Sequence, residues 1–224
     1  VELNYKAIDA GANAMTEVNV PEAWKSIVCE DKATLATGKR DDLVKFVNEI
    51  VEPVSKMNGD SLPVSRFAEL ADGTFPQGSA AYEKRGVAVS VPVWHAENCI
   101  QCNNCAFVCP HAAIRPFLLT DEEAAAAPAS VKLQQGKAVF KEYKFALSVS
   151  VLDCTGCGNC ADVCPSKEKA LVMKPLGTQE AEQANFDYLH SHIGYKDNVQ
   201  PKAQNVKNAQ FAQPLFEFSG ACAG

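Results

Sequence analysis

Basic residues are the minority charge in this chain of 224 residues: 21 Lys and Arg stand against 27 Asp and Glu, a formal net charge of −6. Nucleic-acid binding rests on a basic patch that neutralises phosphates, so that class of partner is excluded. Long apolar runs are missing too. The richest stretches, such as Phe145 to Leu152, fall far short of the roughly 20 residues that a membrane-spanning helix needs. The opening residues carry no signal-peptide pattern, and the expected setting is cytoplasmic, with no membrane partner. Val1 stands where a methionine would begin a chain, and the last residues are Gly220-Ala221-Cys222-Ala223-Gly224, so the sequence reads as a piece of something larger. With 47% hydrophobic residues it can bury a sizeable core, and its length allows one or two domains.

Cysteine is what the chain has in unusual supply. Eight of its ten cysteines fall in two runs, Cys99-Ile-Gln-Cys102-Asn-Asn-Cys105-Ala-Phe-Val-Cys109-Pro110 and Cys154-Thr-Gly-Cys157-Gly-Asn-Cys160-Ala-Asp-Val-Cys164-Pro165, with one spacing, C-x2-C-x2-C-x3-C-P. That is the ligand set for two [4Fe-4S] clusters. Three cysteines at three-residue intervals along a tight loop can point thiolates at three corners of one cubane. The fourth, followed by proline, is turned away and serves the other cluster. This rule assigns Cys99, Cys102, Cys105 and Cys164 to one cluster, and Cys154, Cys157, Cys160 and Cys109 to the second. The small residues Gly156, Gly158, Ala106 and Ala161 let backbone N–H groups approach the sulfides and help set the potential. A four-cysteine zinc site would use two C-x2-C pairs and leave the third cysteine and the Cys-Pro ending unexplained. A disulfide framework calls for an oxidising compartment and for cysteines spread through a small secreted chain. The chemistry expected is therefore electron transfer.

Along the chain, residues 1–27 read as a connector, with Pro21 at a helix start and Trp24 as a packing anchor. Leu43, Val44, Phe46, Val47, Ile50 and Val51 recur at helical spacing, Pro53 is expected to stop that helix, and Asn58-Gly59 to turn the chain. Pro63, Gly73, Pro76 and Gly78 make Ser61 to Gly78 an extended linker. Val91 to Trp94 and Leu147 to Leu152 read as strands before the two cysteine runs, and Ala113 to Leu118 and Ala170 to Met173 as strands after them. Each half is then strand, cluster loop, short helix, strand, a pseudo-twofold layout with Ile100, Val108, Ile114, Val163 and Leu171 as the apolar lining. The insertion 119–146 reads as a surface elaboration, with a partner-docking element as the alternative. From residue 177 the chain turns polar and rich in Asn and Gln, and an extended tail is expected.

These residues resemble a known family. The two cysteine runs, Ala81-Tyr82-Glu83-Lys84-Arg85-Gly86-Val87-Ala88 ahead of them and Phe218-Ser219-Gly220-Ala221-Cys222-Ala223-Gly224 at the end are similar to the middle of pyruvate:ferredoxin (flavodoxin) oxidoreductase. The resemblance implies an α+β fold: a bacterial two-[4Fe-4S] ferredoxin-like domain over 89–176, a helical and extended region named for Glu83-Lys84-Arg85 over 28–88, and the extended tail over 177–224. It implies the electron-relay segment of an enzyme that decarboxylates pyruvate on thiamine diphosphate with Mg, gives the acetyl group to coenzyme A and releases electrons singly to ferredoxin or flavodoxin. A third [4Fe-4S] cluster, the remaining domains and a homodimer are expected of the full-length enzyme. The segment has no thiamine motif, so alone it is not expected to oxidise pyruvate, and no catalytic residue is assigned to it.

In the family, a Gly-Ala-Cys-Ala-Gly-Cys stretch supplies ligands to the third cluster. Cys222 matches its first cysteine, and the chain stops before the second. Cys29, beside Ile27 and Val28, reads as a small core residue. Glu83, Lys84 and Arg85 form either a charged turn on a solvated face or an anchor pairing with another domain, which the resemblance favours. His111 and His95 read as surface histidines, with a hydrogen bond from His111 to a cluster sulfur as the alternative. A self-contained ferredoxin-like carrier with appended docking segments is the alternative for the whole chain.

Overall fold

The computed structural model describes residues 1–28, 36–38, 40–194, 196, 198–199, 202 and 205–212, and the chain divides into two units, Val1–Leu35 and Ala36–Gly224. The first unit holds α1 (Glu2–Asn13) and a 3-10 turn, Glu22–Ser26, that begins after Pro21. Trp24 is 64% exposed and is not the packing anchor expected, and no residue of α1 is buried. One helix and one turn offer no second layer against which an apolar side chain could leave water.

In the second unit the helical spacing after Asp41 appears as α2 (Asp41–Phe46), which runs through a π-helical turn, Val47–Val51, into α3 (Glu52–Ser55). Pro53 therefore sits inside the helical run instead of stopping it. Proline lacks an N–H and its ring crowds the carbonyl four residues back, and the widened π turn just before it relieves both demands. Leu43, Phe46, Val47 and Ile50 form a small core there, covered by Leu70 and Tyr82. Residues 59–82 follow as 3-10 turns with mostly exposed side chains, in keeping with a linker.

Four strands organise the cysteine-bearing region. β1 (Ser90–Trp94) pairs antiparallel with β5 (Leu171–Pro175), and β2 (Ile114–Leu119) pairs antiparallel with β4 (Lys144–Val149), with Val93 opposite Val172 and Ile114 opposite Val149. Each ladder thus joins a strand of the first half to a strand of the second. Between β2 and β4 lie α5 (Asp121–Ala126), which opens on a capping box of Thr120 and Glu123, and the two-residue β3 (Gln134–Gln135), added to the edge of β4. Strand β4 starts at Lys144 and ends at Val149, earlier than expected at both ends. The Ser150 N–H closes the ladder on the Ala113 carbonyl at 2.6 Å, and the chain turns there.

Sheet β2–β4 is buried on both faces. Ile114, Leu118, Phe145 and Leu147 join Val91, Trp94, Leu171 and the cysteines Cys99, Cys105 and Cys160 in the main core. Phe117, Leu119 and Ala146 point the other way, onto Phe186, Leu189 and Ile193. The last three belong to α7 (Glu182–His192) and the residue after it, so this part of the expected extended tail is a helix. The covering of a second sheet face explains it: Phe117 and Leu119 would otherwise face water, and the 3-4-spaced Phe186, Leu189 and Ile193 supply the matching stripe. Residues 213–224 lie outside the described part. Among the described residues no helix is long and apolar enough to cross a membrane.

These contacts set a contrast between the two aromatic positions. Phe186→Ala, at a site 1% exposed, is expected to cost about 3 kcal/mol. Trp24→Ala should change stability by less than about 0.5 kcal/mol. Thermal unfolding of the two variants beside the parent chain checks both.

Candidate metal centres

Each cysteine run bridges the two sheets: the first leaves β1 and enters β2, the second leaves β4 and enters β5. Because the strands pair across the halves, the two runs are brought face to face. Within each run the residues on either side of the second cysteine are left-handed, Gln101 (φ 59°) and Asn103 (φ 58°) in the first, Gly156 (φ 74°) and Gly158 (φ 81°) in the second. This double turn aims N–H groups at sulfur. The Gln101 N–H donates to Cys99 Sγ at 3.4 Å and the Gly156 N–H to Cys154 Sγ at 3.4 Å. Glycine is needed at 156, where a Cβ would stand 2.8 Å from the Ser90 carbonyl oxygen. At 158 a Cβ would meet nothing within 4 Å, and Asn103 holds the matching place in the first run. The one-turn helices α4 (Asn104–Phe107) and α6 (Asn159–Asp162) then carry Cys105 and Cys160 into the core.

Cys99, Cys102, Cys105 and Cys164 line one cavity, and Cys109, Cys154, Cys157 and Cys160 line another. The cysteine that precedes each proline thus faces the three of the opposite run. Burial pushes the Cys105 thiol far up and the Cys160 thiol up to about 12, and neighbouring sulfur charges add to both. Cys99 and Cys154 are raised for the same first reason. Thiolates crowded against an apolar wall require positive charge among them, and bound iron would supply it. Among the described residues no three His, Cys, Asp or Glu side chains close on a point suited to one metal ion. The sulfurs stand around cavity walls instead, and this donor set suits a polynuclear cubane in each cavity.

Of the expected lining residues, Ile114 and Leu171 are buried and each lines one cavity, while Ile100 lines the first from a position 52% exposed. Val108 and Val163 line neither, and Val163 is 38% exposed. His111 is buried on the wall of the second cavity, unlike the surface histidine expected, because the left-handed Ala112 (φ 51°) folds the chain back beneath it. His95 is at the surface, with Nδ1 3.4 Å from a Glu97 carboxylate oxygen. Cys29 and Cys222 lie outside the described residues.

Residues beyond the cysteines hold the loops. Lys84, the centre of the Glu-Lys-Arg triplet, makes an ion pair with the buried Asp153 and donates to Ser150 Oγ at 3.2 Å. Gln183 of α7 donates to the same hydroxyl at 3.0 Å and accepts from the Leu152 N–H at 3.0 Å. The Gly86 N–H adds a bond to the Leu152 carbonyl at 2.9 Å. The triplet thus ties down the turn that delivers Cys154, whereas Arg85 turns to its neighbour Glu83 at 3.5 Å. The insertion performs a like task for the first run: Lys137 Nζ and Gln134 Nε2 donate to the Cys99 carbonyl at 2.8 and 3.0 Å. These partners lie more than thirty residues from the loops they hold, and no local spacing marks them.

Two family models match separate stretches of the chain. Residues 33–88 match the EKR family model, a domain of unknown function, and residues 98–167 match a 4Fe-4S double cluster binding domain. The whole chain is 50% identical to part of a pyruvate-flavodoxin oxidoreductase of Enterobacter agglomerans and 46% identical to part of a pyruvate:ferredoxin oxidoreductase of Moorella thermoacetica, covering 18% of each. It is 39% identical to part of an NADP(+) pyruvate dehydrogenase of Cryptosporidium parvum, covering 12% of that protein. Along its entire length the chain therefore matches one segment of the pyruvate oxidoreductases and spans less than a fifth of them.

Two substitutions probe the loop supports. Gly156→Ala should destabilise the protein by about 2 kcal/mol through its left-handed backbone and the Ser90 carbonyl, while Gly158→Asn should cost less than about 1 kcal/mol. Lys84→Met removes the ammonium that pairs with the buried Asp153 carboxylate and should cost about 3 kcal/mol. Thermal unfolding midpoints report all three, and an equal effect of the two glycine substitutions would contradict the steric account.

Proposed function

We propose, from the match to one segment of the pyruvate oxidoreductases, that this chain is the electron-transfer segment of a thiamine-diphosphate-dependent pyruvate oxidoreductase. Cys99, Cys102, Cys105 and Cys164 hold one [4Fe-4S] cluster in this reading, and Cys109, Cys154, Cys157 and Cys160 hold the second. Such clusters accept and release single electrons. The thiolates neutralise the iron, the N–H groups of Gln101 and Gly156 orient the first sulfur of each run, and Phe145, Leu147, Ile114 and Val149 exclude water from the two cavities. Lys84 and Lys137 keep the loops in register through Asp153 and the Cys99 carbonyl.

Residues 89–176 serve as the cluster domain and residues 28–88 as the region that joins it to the rest of the enzyme. The remaining length would carry thiamine diphosphate with Mg, the coenzyme A chemistry and a third [4Fe-4S] cluster, in a cytoplasmic homodimer that gives its electrons to ferredoxin or flavodoxin. The observation that carries the reading is the partition of eight cysteines between two cavities. Iron and sulfide analysis of the anaerobically purified chain, with electron paramagnetic resonance after dithionite reduction, tests it. About eight irons with two interacting reduced signals are expected. Zinc, or only about four irons, would overturn the two-cluster assignment, and pyruvate oxidation by the chain alone would overturn its role as a relay segment.

A further inference from the structure

The two cavities are related by the internal repeat, yet their surroundings differ. A shift of 55 residues carries Cys99 onto Cys154 and Cys164 onto Cys109. The same shift carries Trp94 onto Val149, Ser166 onto His111 and Lys169 onto Ile114, and Lys137 lies in the insertion, which has no counterpart. Four positive or hydrogen-donating groups thus stand beside the first quartet and are changed or missing beside the second.

Their placement is specific. Lys137 Nζ donates to the Cys99 carbonyl at 2.8 Å, and Lys169 Nζ donates to the Cys164 carbonyl at 2.8 Å and to the Asp162 carbonyl at 3.1 Å. The Trp94 indole Nε1 and the Ser166 hydroxyl are both shielded from water and meet no partner at full hydrogen-bond geometry among the described residues. Ser166 lines the first cavity together with Cys164, and Trp94 packs in the same core as Cys99. A buried N–H or O–H with no other acceptor is costly and points to sulfur as its partner.

Beside the second quartet the described residues place Arg115 and His111 instead. Arg115 donates to the Ala112 carbonyl at 2.9 Å and acts on Cys109, but it shares its charge with Asp153, which Lys84 also holds. His111 lines that cavity in the place of Ser166. Adding an electron to a cluster adds negative charge, which ammonium groups and hydrogen-bond donors stabilise, raising the potential.

Resting on the two-cluster reading, we propose that Cys99, Cys102, Cys105 and Cys164 form the higher-potential site of the pair, set there by Trp94, Ser166, Lys137 and Lys169. The first quartet is then where an electron settles within this chain, and the second passes electrons to it.

The test is a redox titration of the iron-loaded full chain followed by electron paramagnetic resonance, for the parent, Trp94→Phe, Lys169→Met and Lys137→Met. Each substitution should shift the higher-potential step about tenfold toward the oxidised form, about 59 mV for one electron, and leave the lower-potential step within about twofold. Lys137 and Lys169 are exposed, so their replacement leaves the core packing in place, whereas Trp94→Phe trims a buried indole as well as removing its N–H. With about eight irons bound, movement of the lower-potential step, or of neither, overturns the ordering alone. Binding of about four irons overturns the two-cluster reading and the ordering with it.

Discussion

Sulfur charge placed in an apolar core is the constraint on which the rest of this structure depends. Cys99, Cys105 and Cys160 belong to the same buried cluster as Val91, Trp94, Phe145 and Leu171, so the cysteines are part of the packing and not an attachment to it. Burial disfavours a thiolate strongly, as the upward displacement of Cys105 and Cys160 shows. A polypeptide that keeps eight such groups near one core needs cations among the sulfurs and donors around them. Much of the surrounding architecture provides the second of these: left-handed turns that aim N–H groups, and lysines that cap the carbonyls of Cys99 and Cys164.

Strand exchange between the halves makes that arrangement rigid. If each half paired only with itself, each loop would be free to move with its own hairpin. Pairing β1 with β5 and β2 with β4 instead suspends each cysteine run between two sheets, so neither run can shift without breaking a ladder in both halves. The same exchange explains why the cysteine before each proline meets the opposite run. Helix α7 closes the outer face of the β2–β4 sheet, and its Gln183 reaches the turn before Cys154. Packing of a sheet face and support of a cysteine loop are thereby joined in one element.

The region ahead of the cysteine-bearing strands acquires a physical role from one residue. Lys84 is partly buried because Asp153 is, and Asp153 is buried because the turn from β4 to Cys154 folds under Ser150 and Gln183. An ion pair so placed adds little net stability but makes the loss of either partner costly, which favours a single loop geometry. Glu83 and Arg85 lie at the surface side of the same triplet and pair with each other, so the three charges of the motif do different things.

The cysteine runs, their spacing, the amphipathic stretch after Asp41 and the four strands around the loops were legible in the sequence alone, because each is a local pattern: ligand intervals, helical periodicity, short β-branched runs between turns. Pro53, α7 and His111 were not. A π turn absorbed the proline, a second buried sheet face called a polar-looking segment into helix, and a left-handed Ala112 folded the histidine inward. Nor does spacing alone distinguish the two quartets, which are near copies in sequence. Their difference comes from Trp94, Lys137 and Lys169, brought to the cysteines by strand pairing and by the insertion. Sequence by itself marked eight cysteines in two runs of one spacing and, through the Cys-Pro ending, how they would divide into two sets. Only the tertiary structure decided which charges and donors face each set, because electrostatic surroundings depend on distance in space and not on separation along the chain.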